Sequence, residues 1–192
     1  MSVLQQHKII IITAPSGAGK TSITRYLLEH YAQLSFSISA ATRECRFNEV
    51  NGRDYYFLSP EEFKDRIRAN AFVEWEMVYE GKYYGTLHSE LNRIWENGQV
   101  PVLDIDVKGA IHVQQQYPKT SLSIFIEPPT IDELKRRLQS RGTETEESLS
   151  ARVSKASYEI SFKHHFNKII LNDNLENAIA TAEQIITDFL NT

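Results

Sequence analysis

The sequence predicts an α/β protein: a mainly parallel sheet with helices on both faces, an inserted lobe of mixed α and β structure, and a small helical lid. Three observations predict it. Ile9-Ile10-Ile11-Ile12 is an unbroken β-branched run, the pattern of a strand buried on both faces of a parallel sheet. Further runs of this kind alternate with stretches of helical periodicity, the signature of βα units. Two segments have a different texture. Residues from about 36 to 87 are rich in Ser, Thr, Arg and Tyr, and those from about 139 to 160 carry many charges and few large apolar side chains.

Taken in order, Ile9 to Ile12 leads through "TAPSGAGKT" into Ile23, Tyr26, Leu27, His30 and Tyr31, spaced as one buried helical stripe. "LSFSIS" and "RDYYFLS" read as short strands of an inserted, antiparallel region. Ser59-Pro60-Glu61-Glu62 combines a cap, a proline at the first helical position and a capping-box glutamate, and Phe63 and Ile67 give that helix its buried side. Leu91, Ile94 and Trp95 lie on a helix that Gly98 closes. "VPVLDID", "SLSIFIEPP" and "NKIILND" supply three more core strands, four in all with the first. Thr130 to Glu133 opens a helix with a second capping box, and Ala178 to Phe189 forms an amphipathic terminal helix. The expected units are a core of residues 1–36, 88–129 and 161–192, a lobe of 37–87 and a lid of 130–160.

Composition excludes several functions. The formal charge of −4 comes with no basic arm or stripe, which argues against general nucleic-acid binding. The single cysteine, Cys45, rules out an internal disulfide framework and fits a reducing cytoplasm. The start, "MSVLQQHK", lacks the charge pattern and apolar core of a leader, and no apolar run approaches the roughly 20 residues a membrane span needs. A cytoplasmic protein that acts on small molecules, away from nucleic acid and membrane, is expected.

The glycine-rich loop carries the chemistry. Ala14-Pro15-Ser16-Gly17-Ala18-Gly19-Lys20-Thr21 matches the phosphate-loop pattern G-x-x-x-x-G-K-[ST] except for alanine at the first position, which matters only if that position needs positive φ. Backbone N–H groups and the following helix N-terminus converge on an anion, Lys20 reaches β- and γ-phosphates, and the Thr21 hydroxyl coordinates Mg²⁺. Asp104 and Asp106 end a core strand. Asp104 suits the Mg²⁺ water shell or Lys20, and Asp106 a second substrate, unless the two are simply surface carboxylates. Arg43 and Arg46, with Tyr55 and Tyr84, suit a dianionic monophosphate, though a solvated basic turn has the same composition. Glu74, inside apolar "AFVEW", is either an ion-paired strand residue or a partner for two N–H donors, as guanine offers.

"PSGAGKT", "TRECRFNEVNGRDYYF", "EWEMVYEGKYYGT", "VLDIDVKGA" and "RGTETEES", in this order and across nearly the whole chain, resemble guanylate kinase. The resemblance implies a P-loop core, a GMP-binding lobe and a mobile lid, and Mg²⁺-dependent transfer of the ATP γ-phosphoryl group to GMP. It further implies that Ser39, Glu74, Thr86 and Asp106 read the base, and that Arg43, Arg46, Tyr55 and Tyr84 hold the GMP phosphate. Residues 14–21 with Arg137, Arg141, Asn172 and Asp173 would bind ATP, and Arg152 would close over its phosphates with Arg137 and Arg141. Lys20, Arg46, Arg141 and Arg152 would be catalytic. Ala40 and Ala41 depart from the family's usual hydroxyl residues. Two other readings stand beside this one: a non-catalytic phosphopeptide-binding module, and a monophosphate kinase of different base specificity.

Overall fold

A computed structural model describes residues 7–140 and 145–192. Its elements are β1 (Ile9–Thr13), α1 (Lys20–His30), β2 (Leu34–Phe36), β3 (Ala40–Ala41), β4 (Tyr56–Phe57), α2 (Pro60–Arg68), β5 (Phe72–Tyr79) and β6 (Lys82–Leu87). These are followed by α3 (His88–Glu96), β7 (Val100–Asp104), α4 (Val107–Gln116), β8 (Ser121–Glu127), α5 (Ile131–Gln139), α6 (Glu146–Ile160), β9 (Lys168–Leu171) and α7 (Leu175–Asn191). None of the helices among the described residues is long and apolar enough to cross a membrane.

The larger sheet runs β2-β7-β1-β8-β9, and every neighbouring pair in it is parallel. The isoleucine run explains β1's central place. Ile10 and Ile12 join a core with Ile23 and Leu27 of α1 and Ala182 and Ile186 of α7. Ile9 and Ile11 face the other way, into Leu91 of α3 and Ala110 and Val113 of α4. Period-two alternation with both faces apolar leaves such a strand stable only when it is covered from both sides. Lys8, just before β1, donates to the carbonyls of Phe189 and Leu190 at 2.8 and 3.0 Å, placing a cation on the last turn of α7.

The sheet has one strand more than the four expected. Leu34–Phe36 lies within the expected core bounds of 1–36, although "LSFSIS" reads as a strand of the inserted region; it pairs with β7 in the larger sheet, Leu34 opposite Val100. Buried Leu34 packs into the same core as Ile10, and this tertiary contact decides where the strand belongs. The chain crosses to the second sheet over Ser37–Ser39.

That second sheet has the order β4-β3-β6-β5. It is mixed, not purely antiparallel, because β3 and β4 run parallel while β3–β6 and β5–β6 are antiparallel. Its own small core holds Ala40, Phe63, Phe72 and Leu87, with Phe63 stacked on Phe72 at 4.3 Å between ring centroids. The capping box at Ser59 and Glu62 is complete. The second expected box is half formed: Thr130 accepts from the Glu133 N–H, while the Glu133 carboxylate is taken by Arg136 and Arg137. Glu90 of α3 ties the crossover segment to the second sheet. Its carboxylate, 1% exposed, accepts from the Ile38 N–H, the Tyr56 hydroxyl and the Arg93 guanidinium. Burial alone would raise its pKa; these donors outweigh that and hold it below the usual value.

Phe63 is the largest fully buried side chain in the small core, so Phe63→Ala is expected to cost about 3–5 kcal/mol. Urea unfolding should show a lower midpoint, with the change read first by the fluorescence of Trp75 in the same sheet.

Candidate functional site

The loop between β1 and α1 owes its shape to two glycines. Gly17 and Gly19 have φ of +93° and +95°, the left-handed region where a β-carbon is costly. A β-carbon on Gly19 would also overlap the amide nitrogen of Asn172, which donates to the Ala18 carbonyl at 2.7 Å. Beneath Gly17 lie Leu134 and Leu138 of α5. Ala14 is not strained: Asn70 is the one described non-glycine residue with positive φ, so alanine here costs nothing in backbone conformation.

Lys20 opens α1 and forms an ion pair with Asp104. The pairing follows from register, because Asp104 ends β7 directly opposite Ile12 of β1. Asp106 lies beyond the strand and caps α4, accepting from the N–H groups of Lys108 and Gly109 at 2.9 Å each. The two acids therefore have different partners although both line the same cleft, a cavity of about 400 Å³.

The facing wall comes from the second sheet. Glu74 of β5 lies opposite Thr86 of β6, whose hydroxyl donates to it at 2.6 Å. Glu74 is 4% exposed, and burial pushes its carboxyl up to about 7, with the Asp106 and Glu76 charges adding to the shift and the Thr86 hydrogen bond opposing it. Helix α4 comes close because residue 109 is glycine: a β-carbon there would stand 2.6 Å from Glu74 Oε2. Tyr55 and Tyr84 also line the cleft, their ring centroids 6.2 Å apart, together with Ser39. Arg43 stands behind Tyr55, its guanidinium 4.7 Å from the ring centroid and gripped by both Glu49 oxygens at 2.6 Å. That fork holds the Glu49 carboxyl down to about 2. Arg46 is exposed, 4.0 Å from Glu49.

Helix α6 closes the third side. Arg152 donates to the Ser16 hydroxyl of the loop at 2.9 Å. Lys155 and Glu159, 3.9 Å apart, line the cleft one and two turns further on. Glu159 is buried, and desolvation raises its pKa while the Lys155 and Lys20 charges oppose the rise.

Of the residues expected from sequence, the cleft wall holds Ala14 to Gly17, Gly19 to Thr21, Ser39, Tyr55, Glu74, Tyr84, Asp104, Asp106 and Arg152. Thr86 stands one hydrogen bond behind the wall. Arg43, Arg46, Arg137, Asn172 and Asp173 lie off it. Arg137 donates to Glu133 and to the Asn172 carbonyl, tying α5 to the end of β9, and the Asn172 side chain braces the loop from below. Arg141 lies outside the described residues. Sequence reading passed over Glu76, Lys155 and Glu159, which also line the cleft. The signal for two of them was present: Arg152, Lys155 and Glu159 recur at three and four residues, one stripe of a helix.

Comparisons with known proteins point to one family. The family model for guanylate kinase matches residues 6–189. The chain is 49% identical over 183 residues to a guanylate kinase of Bacteroides fragilis, covering 95% of this chain and 90% of the relative. It is also 49% identical over 184 residues to one of Porphyromonas gingivalis, covering 95% and 98% respectively. A crystal structure of guanylate kinase from Anaplasma phagocytophilum superposes with a TM-score of 0.76 at 28% identity, over 94% of this chain and 85% of that one.

The Glu74 environment makes stability depend on pH. The unfolded carboxyl gives up its proton near 4.5 and the folded one near 7, so the folded state holds the extra proton between these values. Its contribution is complete below pH 4.5 and is lost as pH rises to about 7, with Glu159 acting in the same direction. Across that window the stability difference between wild type and Glu74→Gln should change steadily in urea titrations. Parallel curves would show an unperturbed carboxylate.

Proposed function

The chain belongs to the guanylate kinase family, and from that premise we propose that it transfers the γ-phosphoryl group of ATP to GMP, giving ADP and GDP. The observation that carries this reading is that one cleft joins a phosphate loop to a wall bearing Glu74, Tyr55 and Tyr84. In this proposal residues 37–87 form the acceptor lobe, residues 130–160 the lid, and the remainder the core. The setting is cytoplasmic recycling of GMP.

At the donor end, the loop's N–H groups and the start of α1 receive the ATP phosphates. Lys20 exchanges Asp104 for β- and γ-phosphate oxygens. The donor set here, the Thr21 hydroxyl and the Asp104 carboxylate, is hard oxygen and fits Mg²⁺ held in part through water. When bound, that ion would neutralise charge on the β- and γ-phosphates. Arg152 already reaches the loop through Ser16 and is placed to turn from that hydroxyl to a phosphate. Arg137, Asn172 and Asp173 support the adenine side.

At the acceptor end, Glu74 takes the N1–H and exocyclic amine of guanine, with Asp106, Ser39 and Thr86 completing the base contacts. Two N–H donors favour the ionised form of Glu74, so base binding pulls its pKa back down. Tyr55, Tyr84, Arg43 and Arg46 hold the monophosphate. Glu49 keeps the Arg43 fork beside the Tyr55 ring, while exposed Arg46 swings in with the lobe. The GMP phosphate oxygen is ionised near neutral pH and attacks without a general base, so catalysis rests on alignment and charge. The phosphopeptide-module reading is disfavoured by Lys20 and Arg152 standing at an intact loop.

A coupled assay of ADP release with GMP, AMP, UMP and CMP tests the reading. GMP should exceed AMP by about 10⁴ in kcat/KM, since adenine leaves the buried Glu74 facing an acceptor nitrogen. Preference for AMP would end the assignment of Glu74. Arg141→Ala should lower kcat by roughly 10³ while calorimetry finds GMP affinity nearly unchanged. A loss confined to GMP binding would remove Arg141 from the catalytic group.

A further inference from the structure

Resting on the reading of this cleft as a GMP site, we infer that Glu76 reads the sugar. Its carboxylate accepts from the ribose hydroxyls of the acceptor and makes the enzyme prefer a ribonucleotide to its 2′-deoxy counterpart.

In the β5–β6 ladder Glu74 lies opposite Thr86 and Glu76 opposite Tyr84. Residues two apart on a strand, and residues directly opposite across it, share a face. Glu74, Glu76 and Tyr84 accordingly line the cleft, whereas Trp75 and Met77, at the alternate positions, are exposed on the other side. The Glu74–Thr86 rung is the base end of the site, and the Tyr84–Tyr55 pair is its phosphate end. Glu76 stands on the wall one rung, about 6–7 Å, along β5 from Glu74. A nucleoside monophosphate lays its sugar between base and phosphate, and Glu76, next to Glu74 along β5 and across the ladder from Tyr84, borders the path that joins the two anchors.

The chemistry agrees. An ionised carboxylate only accepts hydrogen bonds, and a ribose presents two neighbouring hydroxyl donors that it can bridge. Dinucleotide-binding folds use an acid on the ribose 2′-hydroxyl in the same way. Among the described residues no hydrogen bond or ion pair engages the Glu76 carboxylate. A phosphate at this point would be repelled, and a base edge is already served by Glu74. The sugar is the part of the acceptor whose donors match.

The test compares GMP with dGMP in wild type, Glu76→Gln and Glu76→Ala, by steady-state phosphorylation from ATP and by calorimetric binding. Wild type should favour GMP by about tenfold in KM, the scale of one hydrogen bond to a charged group. In Glu76→Ala the KM for GMP should rise by about that factor and the KM for dGMP far less, with kcat moving little because the hydroxyls lie away from the reacting phosphate. Glu76→Gln, which keeps the shape and one acceptor oxygen, should fall between. Equal losses for both nucleotides, or a wild type indifferent to the 2′-hydroxyl, would overturn the inference. A wild type that fails to phosphorylate GMP would instead overturn the function proposed for the cleft, and that result is visible before any variant is made.

Discussion

The structure depends on the burial of one short strand from both sides. Ile9 to Ile12 have no solvent exposure, with even-numbered residues in one core and odd-numbered ones in the other. A strand of this kind has to lie mid-sheet, and β7 and β8 flank it in parallel register. The chain leaving its carboxyl end therefore emerges between two parallel neighbours, the position where open α/β sheets place their ligands. The loop, the Lys20–Asp104 pair and the placing of Asp106 all follow from that geometry.

Three buried carboxylates show how this protein sets charge through hydrogen-bond supply. Glu90 meets a backbone N–H, a phenol and a guanidinium, and stays ionised despite its burial. Glu74 meets one hydroxyl and has two other acids nearby, so it is poised near neutrality. Glu159 has Lys155 at 3.9 Å and remains raised. Burial is common to all three; what differs is the number of donors within reach. The carboxylate with fully matched donors ties the crossover segment to the second sheet, and those left short of donors line the cleft.

Local signals in the sequence were read correctly because they depend on neighbours along the chain. The isoleucine run, the phosphate-loop glycines, the Ser59 cap and the strands through Leu103, Phe125 and Ile170 are of this type. "LSFSIS" reads as one strand of the inserted region, yet its first half, Leu34–Phe36, pairs in the core sheet with Val100–Val102, a partner far away in sequence. Glu90 carries no local signal, because its role depends on Ile38 and Tyr56 arriving from elsewhere in the chain. Glu76 shares the Glu74 face by period-two alternation, but that this face borders a cavity depends on Asp104, Arg152 and the phosphate loop arriving from elsewhere in the chain. The significance of Ala14 depended on a backbone angle that composition does not encode.

The Asn172 amide that fills the place of a missing side chain at Gly19 belongs to the strand β9 end of the chain, 154 residues beyond the Ala18 carbonyl it holds. During synthesis the loop leaves the ribosome early, while its floor is among the last parts made. An emerging polypeptide carries the complete anion-binding sequence long before it has the support that shapes it. The loop therefore gains its support late in translation, and a chain truncated before β9 lacks the amide that braces it.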